Sequence, residues 1–319
     1  MALKYQSVVA LYNTTLQEVT ARPENWMAFL KTASQNFRLP FDEQLLVHAQ
    51  RPDVTAVLTT ERWNRRFGRW VKPGSKGIAV FDKQSDHLHL KHYFDLFDTK
   101  EGWNKSRVRP VPLWQVRETH HPAIIETLED TFGTLEARDN LMQAIISVSV
   151  NAGEDNLTDY LEDLKQSTAG SYLDGLDDQN LSKRLRDLMV NNMTYMLMLR
   201  CGLETKALFE ADDFREITTF NTPQTINIIG SATCEITAMA LSAIARTVRR
   251  LQREEQNDPG MFAKLEKPAY NEKQEKQPFN ERSAENEHHL QPTGRLPAAG
   301  SDRTGGNAHA PGQVREPEK

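Results

Sequence analysis

The chain has 319 residues, 38% of them hydrophobic and 26% charged, with a formal net charge of -5. This profile fits about two globular domains and excludes a membrane-embedded protein. The sequence has no run of about 18 apolar residues and no signal-peptide pattern, so we expect a cytoplasmic protein with no membrane partner.

Helical periodicity predicts three helices in the N-terminal region. The first carries regularly spaced apolar residues and ends at Pro23. The second spans 25–37 and has Trp26 on its apolar face. The third spans 41–50 and is opened by Pro40.

From residue 54 onward the pattern changes to short elements. These are a helix capped by Thr59 and ending at Arg66, a turn-rich stretch over 68–77, strands over 77–81 and 87–97, and a connection over 82–86. We therefore expect residues 1–116 to form an α+β domain, in which helices accompany a small β-hairpin or sheet.

The following region, 118–254, is predicted to be a mainly α-helical domain. Its predicted helices span 121–133, 135–152, 154–167, 179–201, 203–212 and 222–254, with breaks at Gly133, Gly153, Gly175, Gly202 and Pro223. Residues 118–190 hold 15 acids against five bases. Cys201 and Cys234 lie in helical segments without a CxxC pair, and we expect both to be buried apolar residues. The remaining segment, 255–319, has the composition of a disordered tail.

No motif for catalysis, nucleotide binding or metal binding is found. The sequence contains no GxxxxGK[ST], GxGxxG, GxSxG or HExxH pattern, so we expect a non-enzymatic protein without a cofactor. Three histidines, His87, His89 and His92, lie on a predicted strand. Only two of them could converge on one face, and we expect exposed polar residues here, not a zinc site.

The most informative stretch is the basic aromatic segment, residues 62–76. It contains six basic residues and no acid, namely Arg62, Arg65, Arg66, Arg69, Lys72 and Lys76. Trp63, Phe67 and Trp70 are interleaved with them. Binding of single-stranded nucleic acid requires this mixture of basic and aromatic residues, because cations neutralise phosphates while exposed rings stack on unpaired bases. The ring spacing is also typical of a buried core with solvated arginines, so both interpretations stay open.

Residues 26–82 carry a longer pattern that includes this segment. It consists of a helix with Trp26, a helix over 44–50 that ends in Gln, then Trp63, Gly68 and Val71, and a turn with Gly74, Lys76 and Gly77 that leads into a strand over 78–81. The series resembles the N-terminal single-stranded DNA-binding domain of ArdC-type antirestriction proteins. It is most similar to the variant at the start of large polyvalent proteins of bacterial mobile elements, in which helicase or methylase modules follow. The resemblance covers roughly residues 1–116.

The resemblance implies sequence-independent binding of single-stranded DNA, with an antirestriction or strand-protection role during conjugative transfer. In this view Arg62, Arg65, Arg66, Arg69, Lys72 and Lys76 position the backbone, Trp63 or Trp70 stacks on a base, and Gly74 and Gly77 let main-chain amides approach phosphates. ArdC-type proteins usually continue into a zinc peptidase-like domain. Because this chain lacks HExxH and also lacks helicase and methylase motifs, none of those activities is carried over.

Two other functions stay open at this stage. The acidic helical domain could mimic DNA and act as a protein-interaction module that occupies a restriction enzyme. Alternatively, an unrecognised active site could involve Asp42, Glu43 and His48 on the third helix. Ordinary structural roles are favoured for these three residues.

Overall fold

The structure, a computed structural model, describes residues 2–83 and 89–257. The helices and strands in chain order are α1 (Ala2–Thr20), α2 (Pro23–Gln35), α3 (Phe41–Gln50), β1 (Val57–Thr59), α4 (Thr60–Phe67), β2 (Arg69–Val71), β3 (Ile78–Asp82), β4 (His89–Asp95), β5 (Thr99–Glu101), α5 (His121–Phe132), α6 (Leu141–Lys165), α7 (Asp178–Cys201) and α8 (Pro223–Asn257). The predicted α+β N-terminal region and mainly helical second region are confirmed. Most of the predicted disordered tail and part of the predicted 82–86 connection lie outside the described residues.

The short helix α4 has the sequence signals of a helix at both ends. Thr59 is the N-cap, and its side chain accepts a hydrogen bond from the amide of Arg62. At the C-cap, Gly68 has φ 61°, a conformation that favours glycine. A Cβ atom at this position would lie 2.5 Å from the carbonyl oxygen of Arg107. Gly68 therefore both ends the helix and allows the chain near Arg107 to approach it.

The strands on either side of α4 form two small antiparallel sheets. The first has three strands in the order β1-β4-β3, and the second consists of β2 and β5. The β3–β4 hairpin was predicted, whereas β1, β2 and β5 were not, because each has only three residues. In the second sheet Trp70 lies directly opposite Lys100.

The second region contains fewer helices than the sequence predicts. A single helix, α6, replaces the two helices predicted on either side of Gly153. A Cβ atom on Gly153 would lie 2.9 Å from Val190 Cγ2, so this glycine permits the close approach of α6 and α7 and does not break the helix. The predicted helix over 203–212 is wrong. The chain forms turns there and enters a 3-10 helix at Ala211–Thr219.

One hydrophobic core joins the N-terminal helices to the second region. The indole N–H of Trp26 in α2 donates to Asn192 Oδ1 in α7 at 2.8 Å. The amide of Asn192 in turn donates to Thr233 Oγ1 in α8 at 2.9 Å. This core therefore contains residues from both predicted regions, 1–116 and 118–254.

Helix α8 is the long central helix of the core. By length and composition it could span a membrane, but 67% of its apolar window is buried inside the protein, as in the core helix of a soluble protein. Cys201 and Cys234 are both buried, as predicted. Burial raises the pKa of the Cys201 thiol to about 12, so this group stays protonated at neutral pH.

Candidate nucleic-acid interface

The fold divides the basic aromatic segment among three surfaces. Residues on one side of α4 contribute to a cleft against α7 and α8, and residues on its other side contribute to a groove. The remaining residues lie on β2 and in the turn that follows it. The predicted site is therefore not one continuous patch.

Trp63 is a core residue, which corrects its predicted role in stacking. Its side chain is fully buried, and its indole N–H donates to the carbonyl oxygen of Phe94 at 2.8 Å. Its ring also contacts Phe67, one turn later on the same side of α4, with the ring centroids 5.6 Å apart. The spacing of these two rings therefore reflects packing in the core, which was one of the two interpretations that the sequence left open.

Arg69 is also used internally, so its predicted phosphate contact is corrected as well. Its guanidinium donates through Nε to Thr99 Oγ1 at 2.7 Å and through Nη2 to the Thr99 carbonyl oxygen at 3.2 Å. Glu101 lies 3.9 Å away on the same strand, β5. These contacts connect β2 to β5. Arg69 therefore supports the second sheet, and its guanidinium group is largely engaged by residues of β5.

Trp70, by contrast, is 48% exposed. Two further rings are exposed close to the same sheet in the chain: Phe97, just before β5, is 69% exposed, and Trp103, just after it, is 94% exposed. Trp70 lies beside the chain that leads to Trp103, since its indole Nε1 is 3.2 Å from the Cβ position of Gly102. We call Trp70, Phe97 and Trp103 the aromatic face.

Basic side chains surround the aromatic face. Lys72, Lys76, Lys100 and Lys105 are all exposed. The Lys72 ammonium donates to the carbonyl oxygen of Phe97 at 2.8 Å, which places a cation at the main chain of that residue. The nearest acid in the sheet, Glu101, pairs with Lys105 at 2.7 Å. The balance of charge on this face is positive.

The two predicted glycines have different roles. Gly74 has φ 82°, and no atom lies within 4 Å of its Cβ position, so it forms an open turn that main-chain contacts could use. At Gly77 a Cβ atom would lie 2.9 Å from the Phe94 ring. Glycine is therefore needed at position 77 because the Phe94 ring of β4 packs against it. The predicted approach of its main-chain amide to phosphate is not the reason for glycine at this position.

The other side of α4 forms a basic groove. Arg65 lines it together with Arg107 and Arg109 from the segment after β5, and Glu61 is the one acid among its described lining residues. This segment is held against α4, because the amide of Arg109 donates to the carbonyl oxygen of Phe67 at 3.1 Å. The groove thus brings Arg65 of the predicted site together with basic residues that lie more than 40 positions later in the chain.

Several of these residues were missed by the sequence analysis. They are Phe97, Lys100, Trp103, Lys105, Arg107 and Arg109. A usable signal existed, because residues 100–109 combine four bases with a tryptophan and only one acid, much like the segment at 62–76. What the sequence could not show is that β5 pairs with β2 and so brings the two segments together.

The residues considered for an active site have structural partners. The buried carboxylate of Glu43 accepts from Tyr93 Oη at 2.6 Å and from Lys91 Nζ at 2.5 Å, which ties α3 to β4. Asp42 pairs with Lys83 at 3.1 Å. His48 Nδ1 lies 2.8 Å from Thr32 Oγ1, and burial lowers the pKa of its imidazole.

The histidines on β4 were considered as metal ligands. Among residues 2–83 and 89–257, no group of three or more His, Cys, Asp or Glu side chains is placed to hold a metal ion. His89 and His92 lie on β4, whereas His87 lies outside the described residues.

Comparison of the chain with protein-family models, curated proteins and solved structures finds no match. Function must therefore be argued from the surfaces themselves.

Proposed function

We propose that this is a non-enzymatic cytoplasmic protein that binds single-stranded DNA without sequence preference through the aromatic face. The observation that carries the proposal is the exposure of Trp70, Phe97 and Trp103 among basic residues. Exposed rings of this size are costly to leave in water on a soluble protein, and three of them near one small sheet indicate a binding surface. Unpaired bases are ligands that offer flat apolar faces beside negative charge.

The arrangement favours a single strand over a duplex. In a duplex the base faces are stacked on one another, so protruding rings find no partner unless they wedge between base steps. A single strand can place its nucleobases on Trp70 and Trp103. At the same time Lys72, Lys100 and the arginines of the basic groove can neutralise its phosphates. These contacts involve ring faces and phosphates, which are common to all sequences, so little sequence preference is expected.

The biological role that we propose follows the resemblance of residues 1–116 to ArdC-type antirestriction proteins. A protein of a mobile element with this surface would cover the strand that enters a recipient cell during conjugation, and so protect it or oppose restriction. The alternative role is that of a DNA-mimic module, in which the acidic helical region binds a protein.

The test is fluorescence anisotropy with a labelled single-stranded oligonucleotide that carries a 5′-hydroxyl group. We expect the wild-type protein to bind it, to prefer it over a duplex competitor, and to bind less tightly as salt increases. Trp70→Ala and Trp103→Ala should each weaken binding about fivefold to 150-fold, which corresponds to the loss of one stacked base.

The matched control is Tyr172→Ala, because Tyr172 is 75% exposed but lies in the acidic region. Its affinity for the oligonucleotide should equal that of the wild type. If the wild-type protein binds neither strand form at low salt, the proposal fails, and the acidic region with a protein partner becomes the better account. Deletion of 1–116 is not a suitable test of that alternative, since it would expose the core that α2 shares with α7.

A further inference from the structure

A third basic surface lies on the side of α4 that carries Arg62, Trp63 and Arg66. It is a cleft of about 230 Å³ between α4, the chain after α2, β1, residues 111–114, and the helices α7 and α8. Five arginines line it, namely Arg38, Arg62, Arg66, Arg200 and Arg249. We call it the arginine cleft. It joins two arginines of the basic aromatic segment to three that are distant in sequence.

Acidic residues in the described part of the chain do not neutralise the positive charge of the arginine cleft. No Asp or Glu is present among its described lining residues, and none of the five arginines forms an ion pair within residues 2–83 and 89–257. The Nε atoms of Arg200 and Arg249 are buried and have no hydrogen-bond partner within the same residues. Buried donors are normally satisfied, so these two indicate an acceptor that binds in the cleft.

Electrostatics support the same conclusion. Burial is the main cause that lowers the pKa of the Arg38, Arg200 and Arg249 guanidinium groups. Repulsion adds to it, because Arg66 acts on Arg38, Arg38 acts on Arg249, and Arg249 acts on Arg200. Like charges held together in this way are relieved by a bound anion.

The walls of the cleft are apolar and aromatic. Phe37, Leu113 and Trp114 contribute to them. The Arg200 guanidinium carbon lies 3.7 Å from the centroid of the Trp114 ring, and Arg200 Nη1 donates to the carbonyl oxygen of Trp114 at 3.2 Å. This stacking fixes the guanidinium in one orientation, which reduces the entropy lost when it binds an anion.

From this geometry we infer that the arginine cleft is a binding site for a nucleoside phosphate monoester, with the phosphate held by the arginines and the nucleoside against the apolar wall. A monoester carries a charge of about -1.5 to -2 at neutral pH, more than one backbone phosphate, and its three free oxygens suit several guanidinium groups at once. The cleft volume of about 230 Å³ lies below the roughly 300 to 1,000 Å³ of drug-sized ligand sites, which limits the ligand to no more than one nucleotide.

Such a group has two sources, the 5′-phosphorylated end of a DNA strand and a free nucleotide. The experiment measures binding of dAMP, 2′-deoxyadenosine and inorganic phosphate by isothermal titration calorimetry. It also compares two oligonucleotides of one sequence that differ only in a 5′-phosphate or a 5′-hydroxyl group. The proteins are the wild type, Arg249→Gln and Arg38→Gln, with Arg246→Gln as the control. Arg246 is exposed on α8 and does not line the cleft.

We expect dAMP or the 5′-phosphorylated strand to bind the wild type at least about tenfold more tightly than the ligand that lacks the phosphate. This advantage should disappear in Arg249→Gln and Arg38→Gln and persist in Arg246→Gln. If only the phosphorylated strand gains affinity, the ligand of the cleft is a strand end. If only dAMP gains affinity, the ligand is a free nucleotide. Because Arg38 is more exposed than Arg249, its variant keeps the test decisive even if Arg249→Gln is unstable.

The inference is overturned if neither phosphorylated ligand gains affinity, or if the gain survives in both cleft variants. Its failure can be told apart from failure of the aromatic face. Trp70→Ala should leave the phosphate-dependent gain unchanged, whereas Arg249→Gln should leave binding of the 5′-hydroxyl strand nearly unchanged. Each site is therefore judged by its own ligand and its own variant.

Discussion

Trp63 and Trp70 lie seven positions apart in one basic segment, and the structure assigns them opposite roles. Trp63 is fully buried, and truncation of a buried tryptophan to alanine typically costs about 3–5 kcal/mol of unfolding free energy. Trp70 is 48% exposed, so Trp70→Ala should cost less than about 1 kcal/mol. Binding of single-stranded DNA should respond in the opposite order.

Trp63→Phe is the sharper variant for the buried position. It keeps an apolar ring in the core but removes the hydrogen bond to the carbonyl oxygen of Phe94, and the loss of such a bond costs about 0.5–1.5 kcal/mol. Urea unfolding followed by circular dichroism measures the change in stability, and anisotropy with the 5′-hydroxyl strand measures affinity. We expect Trp63→Phe to bind DNA like the wild type, and Trp70→Phe to keep much of the stacking that Trp70→Ala loses.

The reasoning is refuted if Trp63→Phe loses DNA affinity while its unfolding free energy is unchanged. That result would mean that Trp63 leaves the core to contact DNA. It is equally refuted if Trp70→Ala destabilises the fold as strongly as Trp63→Ala, because Trp70 would then be a packing residue.

Three further predictions concern the fold that holds these surfaces. Trp26→Phe leaves Asn192 Oδ1 without its donor in the core and should lower the unfolding free energy by about 1–3 kcal/mol in urea titrations, with one transition if the core is shared. Gly68→Ala, at φ 61° and against the Arg107 carbonyl, should destabilise by more than about 1 kcal/mol, whereas Gly202→Ala, which has the same left-handed backbone conformation but open space, should show only the backbone cost. Burial lowers the pKa of His48 below its usual 6.5, so the unfolded chain takes up more protons and stability should fall as the pH drops below that value; the fall should be smaller in His48→Gln.

The helices could largely be predicted from the sequence because their signals are local. The third helix has the predicted bounds of 41–50, and the Thr59 cap of α4 is confirmed. Gly153 was misjudged because its role is tertiary, in the contact with Val190. Failures of this kind occur where packing, and not propensity, decides the backbone.

The wrong helix over 203–212 has a similar cause. The ring of Tyr195 contacts both Phe209 and Phe214, at centroid distances of 5.6 and 5.3 Å. Residues five positions apart lie on different sides of an α-helix, so a helix that continued from 203 to 214 could not bring both rings to one partner. The irregular chain and 3-10 helix at Ala211–Thr219 satisfy this packing.

The candidate sites were only half predictable, for a physical reason. Composition located the charge and the rings of residues 62–76, but orientation depends on partners far away in the chain. Arg69 is hydrogen-bonded to Thr99, and Arg62 and Arg66 line one cleft with Arg249 of α8 only in the folded chain. No local pattern specifies either contact.

Photo-crosslinking can show at the level of single peptides whether the aromatic face contacts single-stranded DNA. A single-stranded oligonucleotide substituted with 5-bromouracil is irradiated with the wild-type protein, and the modified peptides are identified by mass spectrometry. We expect adducts on peptides that contain Trp70, Phe97 or Trp103, and we expect excess unlabelled single strand to abolish them. Adducts confined to the acidic region 118–190, or none on the aromatic face under conditions where anisotropy shows binding, would contradict this expectation.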